Sequence, residues 1–92
     1  MFHIIYVMRT EINKYIVADS RICHGQPTFK GTRIMVWQVL DLLKAGVSVD
    51  EVIRDYFPRI AREAVYAALD YASRLVEEEI YVTFPKGVKA AL

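Results

Sequence analysis

A mainly α domain with small β elements is what the residue pattern predicts: a β ribbon and hairpin region over 1–35, a trihelical unit over 36–79 and a C-terminal arm over 80–92. Two observations carry this expectation. Before position 36, β-branched and aromatic residues cluster in short runs broken by Gly, Pro and Asn, which is strand and turn chemistry. From Val36 onward apolar residues recur at i, i+3, i+4 and i+7, which is one face of a helix. A chain of 92 residues has room for one domain, so all three pieces are assigned to it.

Phe2 to Met8 and Lys14 to Ala18 read as two strands, with Glu11-Ile12-Asn13 as the turn between them. Asp19 to Pro27 is an irregular connection punctuated by Gly25 and Pro27. Thr28-Phe29-Lys30 and Arg33-Ile34-Met35 then flank Gly31-Thr32, a second short hairpin in which Gly31 supplies a positive φ. Gly25 is assigned to backbone geometry as well.

Val36, Val39, Leu40 and Leu43 define the first helix, which Gly46 ends, and Trp37 is assigned to the core. Ser48 is a natural N-cap with Glu51 three residues on, and Val49, Val52, Ile53 and Tyr56 continue the helical spacing, so a second helix runs to about Tyr56. Pro58 suits the first turn of a third helix that continues to Glu77-Glu78-Glu79, three carboxylates at the end where the helix dipole disfavours them. Together these make a trihelical unit of helix-turn-helix type, whose second and third helices join at Phe57-Pro58-Arg59. Ile80 to Phe84 reads as a strand or an extended arm.

The chain has a net charge of +1, 25% charged residues and 54% hydrophobic residues, which excludes disorder and leaves more apolar surface than one small core takes up. A second copy or another partner is therefore expected. No apolar run approaches the ~20 residues that a membrane helix requires. The N-terminus lacks a basic segment ahead of its apolar patch, and a single Cys23 cannot pair within the chain, so a cytoplasmic location without secretion is expected. The charge is uneven: positions 1–46 carry six basic and three acidic residues, whereas 47–92 carry six basic and eight acidic. A polyanion should prefer the first half.

The third helix sharpens this. Its apolar residues fill roughly 200° of arc, about twice what one core requires, and the remaining face carries Glu63, Asp70 and Glu77 against Arg62 and Arg74. That face is unsuited to lying in a major groove. The charge favours a core and dimerisation helix over a recognition helix, with Val65, Leu69, Ala72 and Val76 as dimer candidates. Its N-terminal tip is the exception, because Arg59 and Arg62 there can hold phosphates.

No catalytic or metal motif stands out. Cys23 and His24 are neighbours whose side chains diverge, and with His3 they are too few and badly spaced for zinc. Asp50, Glu51 and Asp55 read as a solvated helix surface. No enzyme, cofactor or metal is expected.

The string Gly25-Gln26-Pro27-Thr28-Phe29-Lys30-Gly31-Thr32-Arg33-Ile34, then Lys44-Ala45-Gly46-Val47-Ser48, Tyr56-Phe57-Pro58-Arg59-Ile60 and Ala67-Ala68-Leu69-Asp70-Tyr71-Ala72, resembles the family catalogued as domain of unknown function 433. The resemblance spans about Tyr15 to Val76. It implies a homeodomain-like helix-turn-helix fold and, for many members, a role as VapB-type antitoxin beside a PIN-like ribonuclease toxin encoded alongside. Two positions depart from the family pattern: Met35 stands where Pro is frequent, and Ala61 where a Ser or Thr cap is frequent, which weakens the start of the third helix by about 1 kcal/mol.

The expected function is thus an antitoxin that neutralises a PIN-like toxin and binds its own operator DNA, as a homodimer. The alternative is a protein-interaction module that dimerises without DNA contact. DNA candidates are Arg21, Lys30, Arg33, Arg59 and Arg62; for Arg33 a structural hydrogen bond from guanidinium to nearby carbonyls is the favoured role. Ile80, Tyr81, Val82 and Phe84 are the partner-binding candidates, or else an edge strand beside the N-terminal ribbon.

Overall fold

The computed structural model of the chain describes residues 7–79, so the partner candidates Ile80, Tyr81, Val82 and Phe84 lie outside the described residues, as does most of the expected strand from Phe2. The architecture is mixed α/β: three helices and a three-stranded antiparallel sheet.

Strands β1 (Arg9–Glu11), β2 (Ile16–Asp19) and β3 (Pro27–Phe29) pair in the order β1-β2-β3, with Arg9 opposite Asp19 and Ile16 opposite Phe29. Within the described residues the first strand sits closer to the turn than expected. Glu11 still pairs with Val17, because the chain reversal begins only at Asn13. Asn13 Oδ1 accepts from the amides of Tyr15 (2.9 Å) and Ile16 (3.0 Å), an Asx turn, and its Nδ2 donates to the Ala67 carbonyl at 3.4 Å, which ties the hairpin to the third helix.

The expected second hairpin is only half formed. Gly31 has φ +76° as anticipated, but β3 finds its main partner in β2, and the return arm makes one bridge, Thr28 to Met35. Helix α1 (Val36–Lys44) begins directly after Met35, which leaves no room for a strand. The tight turn is held by Thr32, whose Oγ1 donates to the Phe29 carbonyl at 2.8 Å and accepts from the Ile34 amide at 3.0 Å.

Gly46 closes α1 as the sequence requires. At φ +94° its amide donates to Leu43 and that of Val47 to Leu42, both at 3.0 Å, a Schellman ending. A Cβ at Gly46 would meet nothing within 4 Å, so Gly46→Ala is expected to cost only the backbone penalty of about 1–2 kcal/mol. Urea denaturation would show it as a lower midpoint at unchanged slope.

Ser48 caps α2 (Val49–Glu51): its Oγ accepts from the Glu51 amide at 3.1 Å and donates to the Glu51 carboxylate at 3.0 Å. The helix then widens into a π turn over Val52–Tyr56, closed by the Phe57 amide on the Val52 carbonyl at 2.8 Å.

The third helix, α3 (Arg62–Glu79), starts four residues later than Pro58 suggests. The Ile60 amide bonds back to Phe57 at 3.1 Å, which bends the chain at Pro58-Arg59 and drives Ile60 into the core. Ala61 is the N-cap, since its carbonyl accepts from Ala64 and Val65 at 3.0 and 3.3 Å. An alanine has no side chain to cap the free amides of the first turn. Ala61→Ser is therefore expected to raise stability by about 1 kcal/mol, readable as a higher thermal midpoint.

The core is Ile16, Phe29, Val36, Val39, Val52, Ile60, Ala64, Val65 and Ala68. Alanines on α3 let that helix lie close against α1 and β2. Two assignments change here. Trp37 is half exposed, at 50%, at the flank of the α1 stripe. Val65 is fully buried and belongs to the core, so it is unavailable to a second copy, unlike Leu69, Ala72 and Val76.

Candidate nucleic-acid interface

The fold sorts the basic candidates by whether their charge is already used. Arg21 is used most completely. Asp19, at the end of β2, has a side chain only 1% exposed, and its carboxylate accepts from Arg21 Nε (3.1 Å), Arg21 Nη2 (2.8 Å), the Arg21 amide (2.8 Å) and Arg9 Nη1 (3.2 Å). The Arg21 side chain, followed by its backbone amide, holds the Asp19 carboxyl well below the usual carboxylate range against the opposing effect of burial. The same bonds push the Arg21 guanidinium upward. Arg21 is thus part of a structural clasp across the first hairpin.

Lys30 Nζ lies 3.3 Å from Glu11 Oε2, a partly exposed pair that salt screens. Arg62 is bonded to Asp50, which joins the start of α3 to α2 across the surface.

Arg33 and Arg59 differ from the other three. Both are exposed, and neither makes an ion pair with any described residue. The guanidinium-to-carbonyl bonds favoured for Arg33 from the sequence are not present among the described residues. It is the Arg33 carbonyl that is engaged, accepting from the Cys23 thiol at 3.5 Å. That contact also occupies Cys23, which makes no bond to His24 among the described residues.

The Gly31-Thr32 turn brings the two free arginines together. One depression is lined by Ile22, Gly31, Thr32, Arg33 and Arg59. A second shares Thr32 and Arg59 with the first and adds Lys14, Tyr15, Lys30 and Ala61. Together they form a cationic notch bordered by Lys14, Lys30, Arg33 and Arg59, open at the N-terminal tip of α3, where uncapped amides add partial positive charge.

Sequence reasoning missed Lys14. Its Nζ stands 5.5 Å over the Tyr15 ring, and it reaches the notch because the Lys30 amide bonds the Tyr15 carbonyl at 2.9 Å. No local spacing signals that contact between strands.

The family profile described as Protein of unknown function (DUF433) matches residues 16–72, well over half of the chain. The chain belongs to the DUF433 family. Neither a curated protein nor a solved structure matches it. The DUF433 segment includes β2, β3, α1, α2 and most of α3, and thus every notch residue except Lys14 and Tyr15.

A second surface of this DUF433 domain is apolar. Pro27, Trp37, Leu40, Tyr71, Ala72 and Leu75 line a groove between α1 and α3. The Trp37 indole N–H is held at its edge by Gln26 Oε1 (3.1 Å) and Met35 Sδ (3.3 Å). Ala64 in the notch and Leu75 in the groove are about three helical turns, roughly 16 Å, apart along α3. Among the described residues no helix is long and apolar enough to cross a membrane.

Proposed function

We propose that this DUF433 protein is the antitoxin of a type II toxin–antitoxin pair, a homodimer that grips operator DNA with its cationic notch and neutralises a PIN-like ribonuclease through its apolar surfaces. The observation that supports it most is that Arg33 and Arg59, which make no ion pair among the described residues, line one notch while Arg21, Lys30 and Arg62 are held in pairs. Cations with no internal partner are the ones free to release counterions from phosphates. In this reading α2 and α3, joined through Phe57-Pro58-Arg59, act as a homeodomain-like helix-turn-helix. The outward face of α3 carries Glu63, Asp70 and Glu77, so the tip and the Thr32 turn hold the duplex in place of the helix body.

The test is binding of the full-length protein to a labelled duplex from its own upstream region, followed by fluorescence anisotropy at low salt. Saturable binding is expected, strengthened by the product of the neighbouring gene if that gene encodes a PIN-like ribonuclease. Absence of binding with and without that product removes the DNA half of the proposal.

The apolar groove beside Trp37 favours a second reading, a protein-interaction module without DNA contact. It predicts co-purification with the neighbouring gene product and no DNA binding. In either reading, a complex that survives deletion of 80–92 would take Ile80, Tyr81, Val82 and Phe84 out of the interface.

A further inference from the structure

We propose that the apolar groove between α1 and α3 is the dock of this chain's own C-terminal segment 80–84, with the Phe84 ring as its anchor. The proposal goes beyond the reading above and holds whether or not the chain binds DNA or a toxin.

The groove has room for one ring. Its volume is about 190 Å³, and an apolar cavity of roughly 150 Å³ takes a benzene molecule. Trp37 on the α1 side is 50% exposed and Leu75 on the α3 side 37%, so both rims are open to being covered. The Trp37 N–H already donates to Gln26 Oε1 and Met35 Sδ. That wall offers no free donor, which favours a ring without a hydroxyl.

Where the chain continues decides the occupant. Leu75 lies about 6 Å along the helix axis before Glu79, the last residue of α3, and positions four apart share one face of a helix. The chain therefore leaves α3 one turn past Leu75, on the groove's side. Ile80-Tyr81-Val82-Thr83-Phe84 follows at once. Five residues span up to roughly 17 Å, enough to turn back and lay the last of them between Leu75 and Trp37. Phe84 is the one aromatic residue of that segment without a hydroxyl, and the proline after it favours extended backbone at Phe84. Residues 1–6 start from a poorer place. They lead into β1, which β2 separates from Pro27 at the groove, about 10 Å across the sheet.

Charge points the same way. The chain after Glu79 carries Lys86 and Lys89 and no Asp or Glu. Glu78, three residues past Leu75, is on the groove's side of α3. It is exposed, makes no ion pair with any described residue, and stands where the helix dipole disfavours a carboxylate. With Phe84 seated beside Leu75, Lys86 follows two residues on and offsets that carboxylate.

Trp37 is the chain's only tryptophan, so its fluorescence reads the groove directly in the full-length protein. The wild type is expected to show the emission and acrylamide quenching of a covered indole. Phe84→Ser is expected to move the emission to longer wavelength and raise the quenching, with unchanged far-UV circular dichroism. The reciprocal variant, Leu75→Glu, alters the dock and leaves the arm intact; it is expected to speed trypsin cleavage after Lys86. Both signals should be independent of protein concentration, because arm and groove belong to one chain.

An exposed indole in the wild type, or emission and quenching unchanged in Phe84→Ser, overturns the proposal. Unchanged cleavage in Leu75→Glu does so too, and that readout stands even if Phe84→Ser fails to fold. A red shift in Phe2→Ser in place of Phe84→Ser assigns the groove to residues 1–6. Protection that is lost on dilution assigns it to another copy, and either result rejects the proposal. Arg33→Ala should leave both signals unchanged, which separates this claim from DNA binding.

Discussion

Ile16→Ala is expected to destabilise the domain by about 2–5 kcal/mol and to lower its melting temperature by roughly 10–20 °C. Ile16 is fully buried on the central strand, opposite Phe29, and belongs to the cluster that joins the sheet to α1 and α3. Truncation removes both the transfer energy of three methyl or methylene groups and the packing around them. The strands are three or four residues long, so there is little sheet to relax into the space. A domain of this size holds about 5–14 kcal/mol in total, so a single side chain decides whether it stays folded at growth temperature. Thermal melts followed by circular dichroism read the loss; a shift of only a few degrees would mean that β2 is not the core strand.

Asp19→Asn is expected to produce a loss whose size depends on pH. The clasp of Arg21 and Arg9 lowers the Asp19 carboxyl below its ordinary value, so the folded state binds this proton less readily than the unfolded state does. Such a group contributes its full stability above the unfolded carboxylate value of about 3.9 and loses it as pH falls below that value. The variant should therefore melt well below the wild type at pH 7, with the gap narrowing as pH falls below about 4. A gap of equal size at every pH would show that shape, and not charge, makes Asp19 matter. The exposed Arg74–Asp70 pair at 3.0 Å serves as the control, because breaking a solvated pair by Asp70→Asn should change the melting temperature at pH 7 little.

What the sequence discloses here follows the range of the interaction. The stop at Gly46 and the cap at Ser48 depend on groups within four residues of one another, and both were legible. The start of α3 was misplaced because Pro58 is compatible with a helix's first turn and equally with the bend it forms, and the choice is made by Ile60 entering a core assembled from distant elements. Trp37 and Val65 show the same limit. Periodicity places Trp37 beside the α1 stripe and Val65 within the broad apolar arc of α3, but which of them is covered depends on how α1 and α3 cross.

The candidate site was legible in composition and not in arrangement. Five basic residues could be named, yet only the fold shows that Arg21 is spent on Asp19 and Arg62 on Asp50, while Arg33 and Arg59 are left facing one notch. Lys14 enters that notch through the pairing of β2 with the turn after β3, a contact between strands that no motif encodes. The excess of apolar residues did point to exposed surface, and it lies along α3 and beside Trp37.

The salt dependence of the proposed operator binding, compared between the wild type and the Arg33→Ala/Arg59→Ala double variant, tests the role of the notch most directly. Each phosphate contact contributes roughly 0.9 to the slope of log affinity against log salt concentration. Loss of both guanidiniums should therefore reduce that slope by about 2 and weaken binding across sequences, with the fold intact by circular dichroism. An unchanged slope and affinity in the double variant would contradict the notch as the phosphate-binding surface.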